Sequence, residues 1–340
     1  MFNFSSIIDL PLIFGIIIAT AIFLYVLLDG FDLGIGIIFP FAPSDKCRDK
    51  MMNSIAPFWD GNETWLVMGG GGLFAAFPLA YAILMPAFYI PIIAMLLGLI
   101  MRGVAFEFRF KASEKTKKFW DYIFHFGSLI ATFCQGAILG AFVQGVQVDG
   151  RNFSGSAFDW ASSFSMMTGV ALIFGYVLLG STWLIMKTQD ATQIWSRKVA
   201  SYALVFVIIF MILVSAIMPF LNDLVKAFWF ETPNIYYLAL IPLITSLLIL
   251  SLWRDLRNSQ KEYQPFLTVI AIFLMGYLGI AISIYPWIIP FKYNIWEASA
   301  SAEGLSLMLI GVLPLLPIIL GYTAYCYYVF RGKASDENSY

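Results

Sequence analysis

Eight long stretches of the chain contain no Asp, Glu, Lys or Arg, and this separation limits the fold more than any other sequence feature. They cover residues 10–28, 64–101, 122–148, 160–186, 199–222, 232–253, 263–291 and 304–330. A membrane-spanning helix needs about 17–25 mostly apolar residues, so seven of the stretches predict one helix each. The eighth, 64–101, contains Pro78, Pro86 and Pro91, which favours two helices with a turn between them. The pattern therefore predicts an all-α polytopic membrane protein with nine transmembrane helices.

The composition supports this fold class and excludes several others. The chain has 340 residues, of which 60% are hydrophobic and 12% charged, whereas soluble domains have about 45–50% apolar and about 25% charged residues. The net charge of −1 implies no general attraction to nucleic acid. No Lys or Arg precedes Lys46, so the basic segment of a secretory signal is missing. The three cysteines are far apart and predict neither a disulfide framework nor a metal cluster.

The distribution of basic residues predicts the orientation in the membrane. We predict one integral membrane domain over 1–340, with spans at approximately 8–40, 58–77, 82–101, 122–144, 163–186, 199–220, 234–253, 265–287 and 305–330. With these nine spans, 17 of the 20 Lys and Arg residues lie in 42–58, 102–121, 187–198, 254–262 and the C-terminal segment. The other side has only Arg151, Lys226 and Lys292. Short basic loops stay in the cytoplasm, so the N-terminus is predicted to be periplasmic and the C-terminus cytoplasmic.

Two acidic residues are expected inside or at the edge of the first span. The chain remains apolar after Asp29 and Asp32, as far as Phe39. A helix over 10–40 would be about 46 Å long, whereas the hydrocarbon core of a bilayer is about 30 Å thick. We therefore expect Asp29 and Asp32 in the cytoplasmic half of the span or at its boundary. They are separated by three residues and share one helix face.

A second acidic pair is expected at the same boundary. Two spans and a turn need about 40–45 residues, and the uncharged stretch 64–101 is shorter than that. The second span should therefore begin before Trp65, which brings Asp60 and Glu63 to the membrane boundary. Glu107, in the following basic segment, is a further acidic position on the same side.

These acidic residues have two interpretations. A charged Asp at the bilayer centre costs roughly 2.5–3.5 kcal/mol on insertion scales, and protonating an ordinary Asp at pH 7 costs about 4 kcal/mol. Because the two costs are comparable, small changes in surroundings decide whether such a group holds a proton, which is the property of a proton relay. Alternatively, the acids pair with Arg48, Arg102 or Arg109 and only hold the helices together.

The remaining polar and small residues suggest packing roles. His125 is the only histidine, and several haems, each of which needs an axial ligand, could not be held by one His. We therefore predict no catalytic, cofactor-binding or metal site within this chain alone. Gln135 and Gln144 could line a polar seam or bridge helices. Gly30, Gly34 and the run 69–72 predict close helix packing, within the chain or against another subunit.

Three segments resemble the signatures of subunit II of the cytochrome bd quinol oxidases. They are Asp29–Gly36 (DGFDLGIG), Asn53–Leu66 (NSIAPFWDGNETWL) and Arg102–Arg109 (RGVAFEFR). Their order and spacing, the chain length and the nine-span count all fit that family. The match is specific over about residues 20–110 and is looser beyond them.

The resemblance implies a fold of two four-helix bundles plus one peripheral helix. It implies the non-haem subunit of an electrogenic quinol:O2 oxidoreductase, a terminal oxidase of aerobic respiration in the bacterial cytoplasmic (inner) membrane. The heterodimer partner, subunit I, would carry the haem b groups, a haem d (or a further b) and the quinol site, and the complex would reduce O2 to water. Membrane lipids, quinol, O2 and small accessory subunits are the other expected partners.

The resemblance also implies site residues. Asp60, in the Trp-Asp-Gly-Asn motif, would deliver cytoplasmic protons toward the partner's haems, and Asp32 would assist it. We expect Asp29, Glu63 and Glu107 to complete this proton pathway.

Two other functions compete with the oxidase hypothesis. A proton-coupled secondary transporter would place a substrate site near the midplane, between broken helices in corresponding positions of two halves. The predicted acids instead cluster at one boundary. A purely architectural subunit would shield the partner's haems, and it differs from the main hypothesis only in whether the acids carry protons.

Overall fold

The computed structural model describes residues 8–334, and most of them are helical. The long helices are α1 (Leu10–Ile38), α3 (Trp59–Ala76), α5 (Tyr89–Lys111), α6 (Glu114–Gln144), α7 (Ser163–Lys187), α8 (Asp190–Leu221), α11 (Leu240–Arg257), α12 (Gln264–Ile284) and α14 (Ala302–Val329). The short helices are α2 (Asp45–Ile55), α4 (Pro78–Ala87), α9 (Asp223–Phe230), α10 (Asn234–Leu238) and α13 (Ile295–Ala298), with a 3-10 turn at Phe39–Phe41. Two antiparallel hairpins join β1 (Val148–Asp149) to β2 (Asn152–Phe153) and β3 (Trp287–Ile289) to β4 (Tyr293–Asn294).

Within residues 8–334, eight helical segments are long and apolar enough to cross a membrane. They are α1 with its 3-10 extension, α5, α6, α7, α8, α10 with α11, α12 and α14. These segments confirm the prediction of an all-α polytopic membrane protein. Helix α3 is 18 residues long, which is about 27 Å, and it takes the place of the second predicted span.

The helices around the second and third predicted spans differ from the sequence prediction. The span expected over 82–101 is divided, because α4 ends at Ala87 and α5 begins at Tyr89. Pro91 lies in the first turn of α5, where its missing N–H is not needed. The segment 102–121, expected as a loop, is helical except at residues 112–113. The charged residues of α5 do not end the helix, because Arg, Lys and Glu are good helix formers, and its two arginines pair with carboxylates of other helices.

Helix α1 contacts α3, α6 and α7, and its C-terminal third lies in the interior of the described residues. Every residue from Asp29 to Ile38 is buried. A Cβ atom on Gly34 would lie 1.8 Å from the Tyr176 carbonyl oxygen, and one on Gly180 would lie 2.6 Å from the Ile35 nitrogen. The backbones of α1 and α7 therefore touch, as the small-residue pattern predicts.

The glycine run in α3 has two different faces. Gly69 and Gly72 approach Ile22 and Ile18 of α1, whereas a Cβ on Gly70 or on Gly71 would meet nothing within 4 Å. Only half of this run is therefore needed for packing within the chain.

The two ends of the bundle hold different connections. At one end, the Tyr293 hydroxyl donates to the Gly150 carbonyl, 2.8 Å away, and the Trp296 indole N–H donates to Asp9 before α1. Glu297 closes a capping box on α13. These segments all belong to the predicted periplasmic loops, so the structure groups them at one end. At the other end of α1, the 3-10 turn contacts α6, and its Phe39 ring lies 4.9 Å from the Arg109 guanidinium of α5.

Candidate functional site

Arg102 lies at the centre of a buried polar cluster between α1, α3 and α5. Its side chain is only 2% exposed. Its Nη1 lies 2.5 Å from Oδ1 of Asp29, which is fully buried, and its Nη2 donates to Oε1 of Glu63. The Glu63 side chain is 30% exposed, so the guanidinium joins a buried carboxylate to one that reaches the surface.

Asp32 lies beside this pair and has its own hydrogen-bond partner. The carboxyl group is buried, and its Oδ2 accepts from the Asn62 amide nitrogen, 2.7 Å away. The same nitrogen donates to the Leu28 carbonyl at 3.1 Å. The Tyr327 hydroxyl donates to the Asn62 amide oxygen at 2.9 Å. Helix α14 is thereby linked through α3 to α1.

A third set of hydrogen bonds lies beside Asp29 and joins α1 to α6 and α7. Tyr25 lies one turn before Asp29 on the same face of α1. Gln135 of α6 donates to the Tyr25 hydroxyl at 2.7 Å and accepts from the Tyr176 hydroxyl at 2.8 Å. The hypothesis that Gln135 bridges helices is confirmed, and Gln144 likewise accepts a hydrogen bond from Ser162.

The four residues Asp29, Asp32, Glu63 and Arg102, called here the Arg102 cluster, have more acid than base. Three carboxyl groups face a single guanidinium. Asp29 Oδ2 and Asp32 Oδ1 are buried and accept no hydrogen bond from any part of the chain that the structure describes. An uncompensated buried charge is costly, so a proton on either oxygen would lower the free energy of the cluster. The arrangement is therefore suited to taking up and releasing protons.

Buried hydroxyl groups of α6 extend this polar region along α1. Ser128 and Thr132 are fully buried, and their hydroxyl oxygens have no hydrogen-bond partner within residues 8–334. Ser128 lies against α1, because a Cβ on Gly36 would come within 2.0 Å of its Oγ. Gln135 contacts α1 further along, so the α1–α6 contact carries polar groups over several turns.

A second charged cluster joins α2, α5 and α6. It consists of Arg48, Arg109, Lys117, Asp45, Asp49 and Asp121, and is called here the Arg109 cluster. Arg109 Nε lies 2.5 Å from Asp121, and its Nη1 lies 2.9 Å from Asp49. Lys117 also pairs with Asp49, at 3.1 Å, and Arg48 pairs with Asp121 and Asp45. The Arg48 guanidinium, which donates a hydrogen bond to the Asp45 carboxylate, lowers the pKa of that carboxyl group.

The structure brings together three of the five residues predicted for the proton pathway. Asp29, Asp32 and Glu63 meet at Arg102, whereas Asp60 and Glu107 are exposed. Asp60 lies in the first turn of α3, one turn before Glu63. Glu107 follows Arg102 by five residues on α5, which is about 140° around the helix, so it points away from the guanidinium.

Sequence patterns did not indicate several members of the site. Arg102 was expected in a loop, as one of three candidate ion-pair partners, and not at the centre of the cluster. Asn62 lies within the quoted motif, between Asp60 and Glu63, but a lone Asn gave no indication of its role. Tyr327 is 265 residues from Asn62, and no local pattern connects the two.

His125, on α6, is held against α1 by a hydrogen bond. Its Nδ1 atom lies 2.8 Å from the Ile37 carbonyl oxygen. Residues 8–334 contain no group of three or more His, Cys, Asp or Glu side chains placed to hold a metal ion.

Comparisons with known proteins agree with the geometry. Residues 10–330 match the family model described as "Cytochrome bd terminal oxidase subunit II". The cytochrome bd ubiquinol oxidase subunit 2 of Bacillus subtilis is 30% identical over 95% of this chain and 96% of its own length. The cytochrome bd-I ubiquinol oxidase subunit 2 of Escherichia coli is 27% identical over 97% of this chain and 96% of its own length.

The fold also matches a solved structure. The bd oxidase structure from Geobacillus thermodenitrificans includes a chain that superposes with a TM-score of 0.73, covering 95% of this chain and 99% of that one at 14% identity. At this identity the likeness speaks for the fold alone. Together with the family match over almost the whole length, it places this chain in the cytochrome bd terminal oxidase subunit II family.

Proposed function

We propose that this chain is the non-haem subunit of a bd-type quinol:O2 oxidoreductase and that it contributes a proton pathway to the complex. The relatives from B. subtilis and E. coli are named as subunit 2 of ubiquinol oxidases. A haem-bearing subunit I in the bacterial cytoplasmic membrane is the partner, and it supplies the b and d haems (or b alone) and the redox chemistry. Reduction of O2 to water consumes protons, so such a complex needs a route for them.

The acid excess of the Arg102 cluster carries this proposal. A cluster built only to hold helices together would pair each buried charge, because unpaired buried charges are destabilising. Here two carboxyl groups exceed the guanidinium charge, and two of their buried oxygens have no hydrogen-bond donor within residues 8–334. Intramembrane carboxylates with these properties are typical of proton relays.

The positions of the acids support an order for the transfer. Asp60, exposed in the first turn of α3, takes up a proton from water. Glu63 lies one turn further along and is half-buried. Arg102 holds Glu63 and Asp29 on one guanidinium, and it orients them without giving up its own proton, since an arginine stays protonated in proteins. The free oxygens of Asp29 and Asp32 are the inner proton acceptors.

The test replaces the buried acid in the assembled complex. Asp32→Asn is expected to lower quinol oxidase turnover at least about tenfold, the effect of removing one proton-transfer group, with the haem content unchanged. Asp60→Asn is expected to slow turnover by a smaller factor, since water at the open end can reach Glu63. Asp49→Asn, in the Arg109 cluster, is the control and should keep normal turnover.

Two outcomes would contradict the proton role. If Asp32→Asn and Asp29→Asn both keep wild-type turnover, protons do not pass through the cluster. If haem content falls in parallel with turnover, the acids are architectural. The family match gives no support to a secondary transporter, and a haem spectrum that accompanies the tagged chain would separate the oxidase from it.

A further inference from the structure

The last turn of α14 contacts the bundle through the side chain of Tyr327. Only Leu305 and Ser306 are buried within α14. Near its end, however, the Tyr327 ring stacks on Phe58 at 4.4 Å and meets the edge of Trp183 at 6.0 Å. The preceding residue, Cys326, contacts the Pro57 carbonyl oxygen at 3.5 Å. Helix α14 therefore inserts one tyrosine between α3 and α7.

The segment after α14 is held in place by lysines. Lys187, at the end of α7, donates to the carbonyl oxygens of Phe330 and Gly332. Lys333 donates to Glu262 at 2.7 Å, and this contact lowers the pKa of the Glu262 carboxyl group. The Ala334 amide donates to the Lys187 carbonyl oxygen at 2.8 Å. These contacts limit the movement of the helix end that carries Tyr327.

The Asn62 side chain is held at both ends: the Leu28 carbonyl oxygen, which can only accept, sets its nitrogen end toward α1, and the Tyr327 hydroxyl binds its oxygen end. A carboxamide has one accepting and one donating end. The hydroxyl donates to the oxygen end, so the nitrogen end faces α1 and donates to both Asp32 and the Leu28 carbonyl. If the group turned over, its oxygen would face the Asp32 carboxyl group, and that carboxyl group would lose its donor.

We propose that Tyr327 is a positioning residue for proton transfer: its hydroxyl holds the Asn62 amide nitrogen on Oδ2 of Asp32, which leaves Oδ1 as the oxygen that accepts the proton. Tyr327 reaches the acid only through Asn62. The inference rests on the proposed proton role of Asp32. The titratable and charged groups that act on Asp32 are Asp29 of α1, Glu63 of α3, Arg102 of α5 and Tyr327 of α14. Tyr25 of α1 and Tyr176 of α7 act on Asp29, and Cys326 lies beside Tyr327.

The experiment compares Tyr327→Phe with Tyr328→Phe in the assembled oxidase. Tyr328 is the next residue on α14 and is exposed, which makes it a matched control. Tyr327→Phe is expected to lower turnover about two- to tenfold, the range for one lost hydrogen bond. The alkaline limb of the turnover–pH profile should move to higher pH, because the Asp32 carboxylate loses a donor that favours its ionised form. Tyr328→Phe should change neither the turnover nor its pH profile.

A second pair of measurements separates positioning from simple packing. In the double variant Asn62→Ala/Tyr327→Phe, the loss of turnover should equal that of Asn62→Ala alone, because Tyr327 acts through Asn62. An infrared carboxyl band that disappears in Asp32→Asn should shift in Tyr327→Phe and remain in place in Tyr328→Phe.

The outcomes distinguish this inference from the proposed function. If Asp32→Asn slows turnover but Tyr327→Phe matches the wild type in rate, pH profile and infrared band, the positioning role is wrong and the proton role stands. If Asp32→Asn itself has no effect on turnover, Asp32 is not a proton acceptor and the positioning role of Tyr327 is wrong; the proton role of the cluster fails only if Asp29→Asn has no effect either. Loss of haem from the Tyr327→Phe complex would show a structural residue and would also overturn the inference.

Discussion

The two arginine-centred clusters have equally buried arginines but differ in their charge balance. Arg102 and Arg109 are each 2% exposed. The ion pairs around Arg109 join three basic groups to three acidic groups at the ends of α2, α5 and α6. The Arg102 cluster has one basic group for three acids, and it lies in the interior between α1, α3 and α5.

This difference separates a structural ion-pair network from a site that can bind protons. Where each charge has a partner, protonation of an acid would break an ion pair, so the charges stay as they are. Where acids outnumber bases in a buried cluster, the protonated and the ionised state of an acid are close in free energy. Burial of an arginine is therefore a poor guide to function, and the local charge count is a better one.

The largest effect is expected from removing the arginines. Arg102→Leu should lower the free energy of unfolding by about 3–5 kcal/mol, because Asp29 is left buried without its counter-ion. Arg109→Leu should cost about 1.5–3 kcal/mol, since Asp121 keeps Arg48 and Asp49 keeps Lys117. Thermal and detergent denaturation of the purified complex would measure both.

A double variant makes this prediction sharper. Asp29→Asn should recover most of the stability lost in Arg102→Leu, because it removes the uncompensated charge. Equal losses for the two arginine variants, or no recovery by Asp29→Asn, would remove the proposed difference between the clusters.

A smaller effect is expected where the Arg102 cluster depends on close helix contact. Gly34→Ala places a methyl group against the Tyr176 backbone, and it should destabilise the protein by about 1–3 kcal/mol. It should also slow turnover, since α1 carries Asp29 and Asp32 within the two turns before this contact. Gly70→Ala has open space and a better helix former, so stability should be unchanged or slightly higher. If Gly34→Ala is as stable and active as Gly70→Ala, the close approach of α1 to α7 does not support the site.

The smallest effect belongs to the exposed edge of the Arg109 cluster. Arg48 holds the pKa of Asp45 below its usual value, so this pair stabilises the folded state above the unfolded pKa and stops doing so as the pH falls through the folded pKa. Asp45→Asn should therefore cost less than about 1 kcal/mol at neutral pH. The cost should shrink in high salt and vanish in acid, as denaturation at several pH values would show. If the loss of stability in Asp45→Asn did not depend on salt, the Arg48–Asp45 pair would behave like the buried Arg102–Asp29 pair.

Some features of the site follow from sequence spacing alone. Asp29 and Asp32 share a face of α1 because they are three positions apart, and the length of the apolar segment brings both into the helix. The uncharged stretches predict the number and approximate positions of the long helices. The glycines at 30 and 34 indicate close packing, although the partner helix α7 could not be known from them.

Other features depend on contacts between distant segments. Nothing in the sequence near Arg102 distinguishes a loop arginine from a buried one, because its partners Asp29 and Glu63 come from other helices. The sequence likewise does not distinguish Asp60 from Glu63. The orientation of α3 against α1 half-buries Glu63 and exposes Asp60. The assignment of Asp60 as the main proton carrier and the role of Glu107 stay predictions.

By itself, the sequence determined that this chain is a bundle of membrane helices with acids near one boundary, because hydrophobic length and charge spacing are local properties. Only the tertiary structure decided which acids share an arginine and which tyrosine reaches Asn62. Those contacts join residues up to 265 positions apart, and they form because the helices pack closely enough to exclude water from the groups between them.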